Sequence, residues 1–336
     1  MSKLRVAVIG CGTISEFHLA AWARIPDVEL VALVDPRVDA AAAQRDRFAP
    51  AAGIHSSVAD LLARETLDVV DILSPPARHA EHARLAKAAG LHVICQKPLS
   101  DDLDEARALV AEFAGGPELL SVHENHVFRP WFARLAALHR DGFFGELYRV
   151  RIEQFDASSP PQAINRQAPR GVLLQYGVHL IDMARHLLGT PDAVDARLAH
   201  ANPELAGESF ATVSLRYPDA TAQVDVAWKQ HGVPQGSALL LGARGEAFYE
   251  GTMTRGGPAR LRISRGAELV SDETIDTDHE YRESFYLFQR AFVDALLTGT
   301  PPPQPAAENL QTLELTFAAY AAAAYEAATP ERNHRT

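Results

Sequence analysis

Five short runs rich in β-branched residues, Val6–Ile9, Val28–Val34, Val69–Leu73, Leu91–Cys95 and Leu119–His123, alternate with stretches whose apolar residues recur every three or four positions. Those helical stretches are Glu16–Arg24, Asp39–Phe48, Ala59–Arg64, His79–Ala89 and Leu103–Phe113. Strands joined by helical crossovers run parallel, and a parallel sheet buries both faces under helices. Residues 1–122 therefore predict a doubly wound α/β domain. Past residue 123 the period changes. A helix over Trp131–Arg140 stops at Asp141-Gly142, and longer alternating stretches follow at Glu146–Phe155, Ala193–His200, Phe210–Tyr217, Ala222–Trp228, Ser237–Leu241 and Arg260–Ser264. One helix, Gln175–Leu188, interrupts them; two more, Tyr281–Leu297 and Glu308–Ala327, flank the stiff Pro301-Pro302-Pro303-Gln304-Pro305 segment. Residues 123–328 thus read as an α+β domain with an open, predominantly antiparallel sheet, and 329–336 as a polar tail. Too few helices follow residue 190 to cover both faces of that sheet, so a homodimer or homotetramer formed through it is expected.

A chain of 336 residues with 47% hydrophobic and 22% charged residues has ordinary globular composition, and its length fits two domains. The net charge of −11 repels phosphate backbones and anionic headgroups, so neither nucleic acid nor a membrane surface is an expected partner. No run approaches the ~18 apolar residues of a membrane span. Cys11 and Cys95 lie in apolar segments and are too few for a disulfide framework, and the N-terminal run leads straight into glycines rather than a cleavage site. A reducing, cytoplasmic location is expected. The chain has four lysines, Lys3, Lys87, Lys97 and Lys229, and otherwise uses arginine.

Gly10-Cys11-Gly12-Thr13-Ile14-Ser15 follows the first strand and opens the first helix. In that context Gly10 permits the tight turn, and Gly12 lets the backbone approach a pyrophosphate. Thr13 and Ile14 begin a helix whose free N–H groups and positive dipole end favour an anion. Ser15 stands where a third glycine is usual. Asp35 ends the second strand, 23 residues after Gly12, where an acidic side chain accepts hydrogen bonds from an adenosine ribose and repels a 2′-phosphate. NAD is therefore the expected cofactor. Arg37, two residues on, would pair with such a phosphate or stack on adenine, which leaves NADP open.

Three further patterns complete the reading: Ser74-Pro75-Pro76-Ala77-Arg78-His79 after the third of the five runs, Gln96-Lys97-Pro98-Leu99 after the fourth, and Gly177-Val178-His179-Leu180-Ile181-Asp182. With the glycine-rich turn they resemble the Gfo/Idh/MocA family of glucose–fructose oxidoreductase and inositol dehydrogenase relatives. The resemblance covers nearly the whole chain and is strongest over residues 4–130 and 171–189. It implies hydride transfer between a carbinol carbon of a sugar, inositol or related polyol, including sugar acids, and nicotinamide C4, in a cleft between two domains. It also implies that Ser74, Pro75, His79, Gln96, Lys97 and Asn125 serve the cofactor.

The family's Glu-Lys-Pro is here Gln96-Lys97-Pro98, and its Asp-x-Gly-x-His-x-x-Asp is here Gln175-Tyr176-Gly177-Val178-His179-Leu180-Ile181-Asp182. Lys97 as a charged donor suits a developing alkoxide. Gln175 and His179, four apart, share a helical face, and an imidazole with an ordinary pKa near 6.5 is the natural base at neutral pH. Lys97, Gln175 and His179 are the expected reacting and substrate-holding groups. Asn-x-Arg-Phe-x-Pro becomes Asn125-His126-Val127-Phe128-Arg129-Pro130, which moves the arginine to 129, where it contacts cofactor or substrate or faces water. Arg166 and Arg170, in the loop Pro160–Gly171, form a carboxylate clamp or lie in solvent. The cluster His123-Glu124-Asn125-His126 lacks the helical spacing of a metal site, and no metal is expected. Because amides replace two acids, a catalytically weak NAD-binding sensor or carrier is the alternative from another class. A redox-assisted glycosidase is the alternative within the fold.

Overall fold

A computed structural model describes residues 3–157 and 166–325. The beginning of the Pro160–Gly171 loop, the polar tail 329–336 and the end of the Glu308–Ala327 helix lie outside the described residues. The chain divides into two compact units, Met1–Phe128 with Arg282–Leu310, and Arg129–Tyr281 with Gln311–Thr336.

The first unit is built on six parallel strands, β1 (Leu4–Ile9), β2 (Val28–Val34), β3 (Gly53–His55), β4 (Val69–Ile72), β5 (His92–Gln96) and β6 (Leu120–His123), in the order 3-2-1-4-5-6. Helices α1 (Ser15–Trp22), α2 (Val38–Phe48), α3 (Val58–Arg64), α4 (His79–Ala88) and α5 (Leu103–Phe113) make the crossovers. All four residues of β4 are buried, as expected for a strand covered on both faces. Asp102 accepts the backbone N–H groups of Asp104 and Glu105 and caps α5, and Ser57 caps α3 in the same way. The core continues into residues from the far end of the chain: Phe288, Phe292 and Val293 pack with Val8, Leu33 and Ile94. The proline segment lies along β6, with the Val122 N–H donating to the Gln304 carbonyl at 3.0 Å and Ser121 Oγ to the Pro303 carbonyl at 2.6 Å. This covers an edge that would otherwise present an unpaired ladder.

The second unit holds an eight-stranded sheet, β7 (Leu147–Ala157), β8 (Ala193–Ala199), β9 (Phe210–Arg216), β10 (Thr221–Lys229), β11 (Gln235–Gly242), β12 (Gly245–Gly251), β13 (Pro258–Arg265) and β14 (Glu268–Asp276), in the order 14-13-12-11-7-10-9-8. Only the β7–β10 pair is parallel. Burial alternates along β9 and β13, so one face carries the core. Helices α6 (Pro130–Arg140), α7 (Val178–Leu188), α8 (Thr277–Thr298) and α9 (Ala306–Ala322) complete the chain, with α8 and α9 each contributing residues to both units.

The α/β plus mixed-sheet architecture is as expected. Three strands escape the sequence reading. β3 is three residues long, β12 follows β11 after a two-residue turn, and β14 is a polar edge strand. Helix α8 begins four residues earlier than expected because Asp276 Oδ1 accepts the N–H groups of Asp278 and His279 and caps it.

Candidate functional site

In the first unit, the chemistry-bearing residues gather at the carboxyl ends of the parallel strands, where ligands bind in doubly wound sheets. Gly10 follows β1 with φ +105°, and a Cβ there would meet the Leu73 backbone at 2.7 Å. Only glycine fits. Gly12 differs: a Cβ on it would find nothing within 4 Å, so the space above the turn is open. Thr13 beside it is exposed, and Ile14 is the N-cap of α1. Ser15, in the third glycine's place, is fully buried and donates through Oγ to the Gly12 carbonyl at 2.6 Å, which ties the turn to the helix.

Asp35 follows β2. Its Oδ2 accepts the Cys11 N–H at 2.9 Å and its Oδ1 the Arg37 N–H at 2.9 Å. Each carboxylate oxygen has a second lone pair, so the group braces the turn and still has acceptor capacity for a ribose. Open space over Gly12, the N-terminal end of α1 beside it and an acidic acceptor fit the pyrophosphate and ribose of NAD. Arg37 Nε lies 3.6 Å from Asp35 Oδ1, with its side chain 71% exposed.

Beyond β4, Ser74 Oγ contacts His82 Nδ1 at 3.0 Å. His79 is almost wholly buried, its ring nitrogens 2.7 Å from the Ser74 carbonyl and 2.9 Å from the Pro98 carbonyl. Burial lowers its pKa to about 4, and the neutral ring has a single N–H, so it lies between the loops after β4 and β5 and donates to one of these two carbonyls. The structure thus places His79 beneath these loops. Pro75 begins the turn that leads into α4, its carbonyl accepting the Arg78 N–H at 2.8 Å. Asn125 is buried and donates to Ser284 Oγ at 2.8 Å.

Lys97 directly follows β5, and Glu124 directly follows β6. Their preceding residues, Gln96 and His123, are register partners in the parallel pair, which sets Lys97 and Glu124 side by side at one sheet edge. Glu124 has no accessible surface. Desolvation lowers the Lys97 pKa to about 8 against the pull of the Glu124 charge, and raises that of Glu124 to about 8 against the pull of Lys97. The two groups therefore titrate as one pair, each holding the other's charge against burial. In sequence Glu124 stands within the metal-like cluster His123-Glu124-Asn125-His126 and is not among the expected reacting groups. Its place one residue beyond a parallel strand, beside the strand that leads to Lys97, was the available signal.

In the second unit the expected helix Gln175–Leu188 is two pieces, a π-helical turn at Leu173–Gly177 and then α7. Such turns are frequent at functional sites. Gln175 is half-buried and His179 is 4% exposed. Gly177 packs closely, since a Cβ would lie 2.9 Å from Leu173 Cδ1 and 3.2 Å from Val226 Cγ1, two side-chain ends that would have to shift. Asp182, buried on the same helix, accepts Thr312 Oγ1 at 2.6 Å and is structural. Tyr176 meets the His179 ring edge to face at 5.5 Å, and burial with the nearby Asp156 charge holds its hydroxyl protonated. Asp156 has a raised pKa because it is desolvated, and it accepts Gln154 Nε2 at 2.5 Å.

Glu208 anchors the turn. Fully buried, it accepts Gly171 N–H at 2.8 Å, Leu173 N–H at 2.9 Å and the Tyr320 hydroxyl at 2.7 Å. Tyr176, Asp156 and Glu208 are the residues that sequence reasoning missed here. A glutamate followed by Ser-Phe before a strand carries no signal for a partner 37 residues away.

The three arginines have different surroundings. Arg129 has no accessible surface, donates through Nη2 to the Thr254 carbonyl at 3.1 Å and lies 5.2 Å from the centre of the Tyr281 ring. It does not face water. Arg170 lies over Phe317 at 4.7 Å and Tyr320 at 5.7 Å, while Arg166 is exposed and its carbonyl accepts the Ala206 N–H at 2.8 Å.

Residues 4–124 match the oxidoreductase family with an NAD-binding Rossmann fold designated GFO_IDH_MocA, and residues 132–248 match the GFO/IDH/MocA C-terminal domain. D-apiose dehydrogenase of Paraburkholderia graminis is 31% identical over 96% of this chain and 88% of its own. Myo-inositol 2-dehydrogenase of Thermotoga maritima is 24% identical over 94% of this chain and 95% of its own. Among solved structures, an oxidoreductase from Agrobacterium radiobacter in complex with NAD+, L-tartaric acid and magnesium superposes with a TM-score of 0.86 at 26% identity, over 96% of this chain and 97% of that one.

Proposed function

The chain belongs to the Gfo/Idh/MocA oxidoreductase family, and from that premise we propose that it oxidises a carbinol carbon of a sugar, inositol or related polyol with NAD. The observation that carries the reading is the sheet edge of the first unit. The open Gly12 turn, the Asp35 acceptor and the Lys97–Glu124 pair all follow strands of one parallel sheet. The names of the relatives, dehydrogenases of apiose and of inositol, support the substrate class.

Bound NAD supplies the hydride acceptor at nicotinamide C4. Lys97 donates a charged hydrogen bond to the reacting oxygen and stabilises the alkoxide that forms on it. His179 takes the hydroxyl proton, and Gln175, in the π-helical turn that leads into the same helix, hydrogen-bonds the substrate as an uncharged donor and acceptor. Tyr176 packs on the His179 ring and fixes its plane. One hydroxyl proton and one hydride leave the alcohol, and a carbonyl remains.

The charge on Lys97 gives a pH dependence with a definite sign. Because desolvation lowers the Lys97 pKa, the ammonium is lost at lower pH than from an ordinary lysine, so kcat/KM should fall on the alkaline side. Glu124→Gln removes the carboxylate that holds the proton on Lys97, so that alkaline limb should move to lower pH. A limb that stays in place in Glu124→Gln would contradict the pairing. For the cofactor, the Asp35 carboxylate should make NAD bind about tenfold or more tightly than NADP, a difference of about 1.4 kcal/mol. Calorimetric titration with both nucleotides checks this, and Asp35→Asn should narrow the ratio.

No helix among the described residues is long and apolar enough to cross a membrane. Both cysteines are buried free thiols, and a chain with two cysteines and no disulfide among the described residues suits the reducing cytoplasmic setting of this reading. Association through the outward face of the second sheet, which carries Arg151 and Glu153 on β7, completes it.

A further inference from the structure

His18 on α1 and Asp71 within β4 are polar residues in apolar segments, and neither has accessible surface. Such groups are buried only with partners. His18 Nδ1 lies 2.8 Å from Asp71 Oδ2. Trp22 Nε1 donates to the same oxygen at 2.7 Å, and Gln289 Nε2 lies 3.4 Å from it. Across the ring, His18 Nε2 is 3.0 Å from Gln96 Nε2, and Gln96 Oε1 accepts the backbone N–H of Lys97 at 2.8 Å.

The hydrogen positions follow from the two ends of this chain of contacts. The Lys97 N–H and the Trp22 indole N–H can only donate. The Gln96 atom facing Lys97 is therefore its carbonyl oxygen, which turns the amide NH2 toward His18. An NH2 offers no lone pair, so His18 Nε2 accepts. The ring hydrogen then sits on Nδ1, where the Asp71 carboxylate at 2.8 Å receives it; Gln289 Nε2, 3.3 Å from Nδ1, directs its own hydrogen to Asp71 Oδ2. Reversing the Gln96 amide would set two donors against each other at Lys97. A glutamate at 96, the acid of the family's tripeptide, would instead bring a carboxylate oxygen against the Nε2 lone pair, and that contact closes only by taking up one more proton.

We propose that Asp71, His18 and Gln96 are a positioning chain for Lys97, and that glutamine at 96 is the residue this chain requires. The chain transmits orientation without charge, so the carboxylate that serves Lys97 is Glu124 on the neighbouring strand end and not residue 96. The role of the chain in turnover rests on the reading that Lys97 acts on the reacting oxygen; the hydrogen positions do not.

Full-length protein with 15N-labelled histidine tests the two parts separately. Long-range 1H–15N correlation at neutral pH should show His18 with a hydrogen on Nδ1 and a bare Nε2. Gln96→Glu should convert that one ring, identified by its change, to the doubly protonated form. A wild-type His18 with hydrogen on Nε2, or no histidine altered by Gln96→Glu, overturns the chain. Gln96→Leu, which cuts the connection without adding charge, should lower kcat on the order of tenfold to hundredfold with a much smaller change in KM, the signature of a displaced reacting group. An unchanged kcat in Gln96→Leu overturns the positioning role if Lys97→Ala is inactive. If Lys97→Ala is itself fully active, the reading of Lys97 falls, and with it the role of the chain in turnover.

Discussion

Lys97→Ala should lower kcat by about 10²–10⁴-fold, roughly 3–5 kcal/mol of transition-state stabilisation, while the Kd for NAD changes little. Alanine removes the charged donor at the oxygen where negative charge develops, and no other lysine lies at this sheet edge: Lys3, Lys87 and Lys229 belong to other parts of the chain. The variant also leaves Glu124 buried without its cation. The carboxyl then stays protonated, because the pull that lowers its pKa comes from Lys97. Lys97→Met separates charge from packing by keeping the apolar stem, and should be nearly as inactive as alanine. Lys97→Arg keeps the charge but replaces a compact ammonium with a planar fork, and should recover only part of the rate. Steady-state kcat on a verified substrate, paired with NAD titration, distinguishes these outcomes. A Lys97→Met enzyme near wild-type turnover would remove the charge from the mechanism.

Glu208→Ala should be the most destabilising single change near the π-helical turn. It strands three donors, Gly171 N–H, Leu173 N–H and the Tyr320 hydroxyl, all now held by one buried carboxylate. At about 1–3 kcal/mol for each unsatisfied group, partly relieved by relaxation, the loss is about 3–5 kcal/mol, or a fall in Tm on the order of 10 °C. Glycine at 171 cannot relax far, since a Cβ there would collide with the Glu208 carbonyl, which shows how closely the two backbones approach. Glu208→Gln keeps one acceptor oxygen but turns an NH2 toward a backbone N–H, and should cost roughly half as much. Because the turn carries Gln175 and leads to His179, the glutamine variant should also lose kcat at temperatures where it remains folded. Calorimetric scans of the two variants against wild type check the first claim, and turnover of Glu208→Gln well below its Tm checks the second.

Much of the first unit was legible because local signals and global fold agree there. The strand, the Gly10 turn, α1 and Asp35 occur in the order that a dinucleotide domain needs, and Lys97 and His179 lie in motifs that survive substitution of their neighbours. What escaped depends on contacts distant in sequence. Asp71 within Val-Val-Asp-Ile and His18 on an apolar helix face each violate the apolar pattern, and each violation is explained only by the other. An acid inside an apolar strand and a histidine inside an apolar helix of the same parallel-sheet domain are together a signal in sequence that the two pair. Glu208 has no such mark, because two of its three partners are backbone groups. The joining of Arg282–Leu310 to the first unit is equally unmarked, since α8 is continuous through the boundary and its sequence has no break at Tyr281-Arg282. The arginines at 129 and 170 show the limit of charge as a guide: a guanidinium seated on aromatic rings reads in sequence like one that faces a ligand.

Hydride transfer from a carbinol carbon to NAD is followed directly with an isotope. The protein should be incubated with NAD and a panel of sugars, inositols, other polyols and sugar acids, with NADH followed by its near-ultraviolet absorbance. The active compound should then be offered deuterated at the oxidised carbon. NADH should accumulate in step with a carbonyl product and carry the deuterium at C4, and Lys97→Ala should slow both by about 10²–10⁴-fold. Tight NAD binding with no turnover of any compound in the panel, or release of a hydrolysed sugar without net NADH, would contradict hydride transfer to NAD.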